Sequence, residues 1–169
     1  SQMMLHYKLP NSSIAGASDS NIPDYQAGYE KALSIATSAQ SGANLITQAS
    51  GMLSGLMGVS LESFVLDNEL CGSILSSMRS IDVPVLTNDL ESIRQVIERD
   101  KHFLGESDTL KRMSTDFDYP KSAKRVSPEL WMKEKDNTML NEARKNLEKI
   151  LSSNFQSHLS AETLKRIET

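Results

Sequence analysis

The sequence predicts a helix-rich α/β fold. Three observations carry that reading. A short β-branched stretch, Ala43-Asn44-Leu45-Ile46-Thr47, lies between Gly42 and a glycine-containing loop, as a buried strand would. Each candidate strand is followed by residues with helical apolar spacing. Beyond Pro84 only helical signals remain, which sets a boundary between residues 1–84 and a helical segment 85–169.

The elements follow in order. Met3 to Leu9 reads as the end of a helix or a short strand, stopped by Pro10. Ile14-Ala15-Gly16-Ala17 is a candidate buried strand running into the polar stretch Ser18-Asp19-Ser20. Pro23 opens a helix with Asp24 in its first turn, where a carboxylate suits the positive end of the helix dipole. Ala27, Leu33, Ile35 and Ala36 supply its apolar positions, and Gly42 ends it. After the 43–47 strand, the loop Gln48 to Val59 carries several glycines. Ser60 caps the next helix, with Leu61, Phe64, Val65, Cys71, Leu75 and Met78 as its apolar residues. Asn88 with Glu91 resembles a capping box. Ser127-Pro128-Glu129 is a helix start, Asn137 to Leu151 a long amphipathic helix, and a last helix begins near Ser160.

Composition narrows the function classes. The 169 residues carry 24% charged and 38% hydrophobic side chains, the balance of a soluble globular chain. A net charge of −4 with interleaved acids and bases offers no footprint for nucleic acid. No stretch is apolar and long enough to suggest a membrane span, and the single Cys71 fits a reducing compartment, so a cytoplasmic location is expected. Cys71 sits among apolar neighbours and reads as a structural thiol. His6 and His158 have no partners at ligand spacing, so no metal motif is predicted. Gly51, Gly55 and Gly58 lack the lysine of a phosphate-binding loop.

Several segments together resemble a known family. Pro23-Asp24-Tyr25-Gln26-Ala27-Gly28-Tyr29-Glu30-Lys31-Ala32-Leu33, Gly42-Ala43-Asn44-Leu45-Ile46, Gly51-Met52-Leu53 and Phe64-Val65-Leu66-Asp67-Asn68-Glu69 are similar to the C-terminal third of the trimethylamine methyltransferase family. His102-Phe103-Leu104-Gly105, Thr109-Leu110 and Tyr119-Pro120 follow in matching order. The resemblance implies the C-terminal part of a (β/α)8 TIM barrel plus a C-terminal helical extension. A closed barrel needs eight strand–helix units and roughly 250 residues, more than this chain supplies. The resemblance also implies transfer of a methyl group from a tertiary or quaternary amine, such as trimethylamine or glycine betaine, to the Co(I) corrinoid (cobalamin) of a partner corrinoid protein. No pyrrolysine is written here; if its position falls in this segment, in the loop Asn11 to Ser20, the resemblance implies a quaternary amine as the substrate. A quaternary ammonium already has a neutral amine as its leaving group, so catalysis is mainly positioning.

Barrel sites lie beyond the C-terminal ends of the strands. That places Asp19 opposite a cationic substrate and Gln48 near its polar end, with turn formation and strand closure as the ordinary alternatives. Gln26 and Glu30 on the following helix, and His102 between later helices, complete the substrate-binding candidates, each with a surface or structural alternative. No catalytic residue is assigned. The isolated segment is expected to be inactive and to self-associate or dock onto missing barrel, because an unpaired strand edge and an apolar face are left uncovered. A second reading is a non-catalytic helical module that binds a protein partner through that face.

Overall fold

A computed structural model describes residues 1–80, 87–99, 102–134, 138–153 and 158–167, with backbone alone at 87–89 and 161–162. The chain opens with helix α1 (Gln2–His6) and strand β1 (Ser12–Ile14). Helix α2 (Tyr25–Gln40) leads to strand β2 (Leu45–Thr47), which pairs with β1 in parallel, Ser12 opposite Leu45 and Ile14 opposite Thr47. A parallel pair requires a crossover, and α2 supplies it. Next come β3 (Met52–Leu53), a 3-10 turn at Ser54–Leu56 and β4 (Gly58–Val59), a minimal antiparallel hairpin. Helices α3 (Leu61–Ser77), α4 (Thr87–Arg99), α5 (Ser107–Thr115), α6 (Pro128–Lys133), α7 (Met139–Ser152) and α8 (Ala161–Ile167) follow. The described chain is thus helix-rich α/β, and its strands form two two-stranded sheets.

The predicted helix signals hold in most cases. The Ser60 hydroxyl accepts from the Ser63 amide at 3.1 Å, and Ser127 caps α6 ahead of Pro128. Gly42, at φ +83°, follows the end of α2. Other details differ. Asp24 is not in the first turn of α2 but caps it, taking the Ala27 amide at 3.0 Å. The first strand begins two residues earlier than expected and stops at Ile14, because Gly16 at φ +96° leaves the extended region. Thr138 caps α7; the expected start at Asn137 and the boundary at Pro84 lie outside the described residues. Asn88 falls inside α4 rather than before it.

The core sits between the helices and one face of the β1–β2 pair. Ala15, Ile35 and Ile74 are buried together, with Ala36, Ile46, Leu70 and Cys71 packed around them. The opposite face of the pair is bare: Ile14 is 69% and Leu45 58% exposed. On α2 and α3 the buried stripes are Ala27, Lys31, Ile35 and Ser63, Asp67, Ile74. Leu33, Leu61, Phe64, Leu75 and Met78, expected inside, are exposed, so these helices keep a second apolar face uncovered.

The later helices return to α3, against which α7 packs through the fully buried Ala143. Glu69 of α3 receives both the amide and the hydroxyl of Ser122, at 3.0 and 2.9 Å, and Ser122 is completely buried. Arg144 meets Glu62, and Lys124 meets Glu142. Since a buried amide stripped of a charged acceptor costs about 1–3 kcal/mol, Glu69→Ala is expected to release the segment around Ser122. Faster hydrogen exchange at Ser122, with exchange in β1 unchanged, would record it.

Candidate functional site

Two parallel strands end on the same side, so the segments after β1 and β2 emerge together. They touch at once. A Cβ on Gly16 would stand 2.7 Å from the Cα of Ala49, so the two backbones cross at a distance only glycine permits. The 3-10 turn then folds over the first segment. Ser54 and Gly55 donate their amides to the carbonyls of Ser20 and Ser18 at 2.9 and 3.0 Å, and the Ser54 hydroxyl donates to Asn21 at 2.8 Å.

The first segment is held from α2 by Glu30. One carboxylate oxygen accepts from the Ser18 hydroxyl at 2.6 Å and the Asp19 amide at 2.9 Å, and the other from the Gln26 side chain at 2.8 Å. The Ser18 hydroxyl, then Gln26 and the Asp19 amide, hold its carboxyl below the usual glutamate range. This contribution is present above the ordinary range and is lost only as pH falls below it, through the depressed folded-state value. Glu30→Gln is therefore expected to loosen residues 18–21 at neutral pH as strong acid does in the parent. Amide exchange at Asp19 as a function of pH checks this, and a pH-independent difference between the two proteins would contradict it.

The second segment is held by a group that the sequence reading did not single out. Lys31 and Asp67 form an ion pair between α2 and α3 at 2.5 Å, with side chains 1% and 7% exposed. The same Asp67 oxygen accepts the Gly51 amide at 2.8 Å. Consecutive residues of α2, Glu30 and Lys31, thus secure the two strand-end segments in turn.

The sequence candidates divide accordingly. Asp19, Gln26 and Glu30 come together; Asp19 is exposed, and its carboxylate has no hydrogen bond among the described residues. Gln48 closes β2 with φ +62° and is exposed. His102 is exposed between α4 and α5, and no hydrogen bond among the described residues ties it to either segment. Burial and the nearby Asp67 push the Cys71 thiol up, which disfavours the thiolate. The described residues contain no group of three His, Cys, Asp or Glu side chains able to hold a metal ion, and no described helix is long and apolar enough to cross a membrane.

Comparison with known proteins decides the lineage. The model of the trimethylamine methyltransferase family matches residues 1–169. The chain belongs to this family. Among its relatives is the glycine betaine methyltransferase of Desulfitobacterium hafniense strain Y51, 31% identical over 141 residues, covering 81% of this chain and 28% of the relative. The trimethylamine methyltransferase MttB of Methanosarcina thermophila is 40% identical over 90 residues, covering 53% of this chain and 18% of its own length. A protein named trimethylamine methyltransferase MttB from Desulfitobacterium hafniense strain DCB-2 is 34% identical over 112 residues, covering 65% and 22%. The chain therefore spans less than a third of these family members.

Proposed function

We propose that this chain is the C-terminal portion of an enzyme that moves a methyl group from a quaternary or tertiary amine to the Co(I) corrinoid of a partner protein. The observation that carries the reading is the family match along the whole chain. Glycine betaine and trimethylamine are the donors suggested by the relatives' names. The same match favours this reading over a non-catalytic interaction module.

The fold supports it. β1 and β2 are neighbouring parallel strands with their crossover helix on one face and bare apolar side chains on the other. That is the arrangement of adjacent strands in a TIM barrel, whose remaining strands would cover Ile14 and Leu45. The C-terminal helices, from α4 onward, form the helical cap.

In this reading the corrinoid supplies the electron pair that takes the methyl group, and this chain supplies position. Asp19 follows β1 with an exposed carboxylate that has no hydrogen bond among the described residues, suited to a cationic nitrogen. Gln48 offers an amide to the polar end of the donor. Glu30 accepts the Asp19 amide and is itself bonded by Gln26, so these two residues keep the segment that carries Asp19 in place. Loss of Co(I) absorbance tests the proposal. The full-length polypeptide is expected to methylate reduced cobalamin with glycine betaine, carnitine, proline betaine or trimethylamine, while this chain alone is silent. Silence from well-folded full-length protein across all donors would overturn it.

A further inference from the structure

We propose that the tip of the β3–β4 hairpin, with Ile22 beside it, is the docking surface for the protein that carries the corrinoid, and that this partner is basic around its point of contact. The inference rests on the methyl-transfer reading, because it names where the partner in that reading sits.

Place comes first. Cobalt must reach the methyl carbon from the side on which the strands end. Further barrel strands would run alongside β1 and β2, whereas the hairpin stands past the end of β2 and folds over Ser18 and Ser20. Its tip is apolar and bare. Met57 is 89% and Val59 62% exposed, and Leu56 is exposed beside them. Ile22 is exposed as well, one residue beyond the Asn21 that the Ser54 hydroxyl holds. Conformation points the same way. Of the four non-glycine residues with positive φ among the described residues, three fall between 48 and 56: Gln48, Ser54 and Leu56, the last at φ +74°. A bulky side chain in that region is strained, and strain of this kind gathers where a surface is used.

Charge selects the partner. Residues 9–78 carry six carboxylates and one base, Lys31, which is buried against Asp67. The rest of the chain has 17 bases and 16 acids, so the acidity is confined to this unit. Asp19 and Asp24 are exposed on the segment that the hairpin covers, and a Cβ on Gly55 would lie 3.4 Å from the Asp19 carboxylate. Arg144 of α7 pairs with Glu62, at the start of α3, and not with these two. An apolar centre inside an acidic rim fits a partner face whose apolar residues are ringed by lysine and arginine.

The test offers two acceptors to one full-length enzyme: free cob(I)alamin, and the corrinoid protein of the same organism loaded with cobalamin. Met57→Lys is expected to raise KM for the corrinoid protein about tenfold while leaving the rate with free cob(I)alamin unchanged. Leu56→Gly, which suits φ +74° and removes the side chain, is expected to act in the same direction. Added salt is expected to raise KM for the protein acceptor alone. Peroxide oxidation of Met57, followed by peptide mass spectrometry, gives a readout besides activity. It is expected to be fast in the enzyme alone and slowed by the corrinoid protein. An unchanged KM in Met57→Lys, or a KM for the corrinoid protein that salt does not raise, overturns the proposal. So does a Met57 already protected in the full-length enzyme alone, since the polypeptide's own remaining portion would then cover the tip. In each of these cases turnover of free cob(I)alamin leaves the methyl-transfer reading standing. Silence with both acceptors sinks that reading and this inference with it.

Discussion

Asp67→Ala is expected to lower the unfolding free energy by about 3–5 kcal/mol, because it strands the buried Lys31 ammonium without a counter-charge. The loss has a second component. Asp67 also accepts the Gly51 amide, so the segment after β2 is released along with the pair. Denaturant unfolding measures the total, and amide exchange at Gly51 reports the local part. The double variant Lys31→Met, Asp67→Leu separates them. It removes both charges together, which is near neutral for a buried pair, and leaves the Gly51 amide unmet at a cost of about 1–3 kcal/mol. A double variant as unstable as the single one would show that the stability lies in the shape of these side chains rather than in their charges.

Gly16→Ala carries the second large effect. At φ +96° an L-residue is strained, and the new Cβ would stand 2.7 Å from the Cα and 2.9 Å from the carbonyl of Ala49. Neither atom is the end of a flexible side chain, so the backbones must separate. Strain and overpacking together give an expected loss of about 2–4 kcal/mol. The comparison is Gly28→Ala, where a Cβ meets nothing within 4 Å and the backbone is helical. That change is expected to stabilise by about 0.5–1 kcal/mol. Equal responses at the two positions, in denaturant unfolding, would mean that the crossing at Ala49 is not tight in solution.

The residues that announced the fold were those acting on their own backbone. Ser60, Ser127-Pro128 and Gly42 shape the chain within a few positions, so their roles survive without knowledge of the partner surfaces. Strand limits were less legible, since three-residue strands are set by their neighbour and by the φ of Gly16. The interior faces of α2 and α3 were misread because apolar residues occur on two sides of each helix, and only one side is covered here. The Lys31–Asp67 pair escaped for a related reason: only apolar residues were used to find the interior faces of the two helices. The signal was present. Lys31 falls in register with Ala27 and Ile35, and Asp67 with Ser63 and Ile74, so opposite charges occupy the inward stripes of successive helices. Among the site candidates, Asp19 and Gln48 were named for their place after a strand, whereas the bonds of Glu30 and Gln26 to the segment after β1 carry no sequence signal.

Glu30 and Lys31 are one step apart on α2, about 100° around its axis, and each grips a different strand-end segment. The helix therefore works as a crank. Turning it, or sliding it along its axis, drags both segments together, one directly and the other through Asp67. Sequence changes that re-seat α2 would move the two strand-end segments in concert, so their spacing should drift less between homologues than the residues they display.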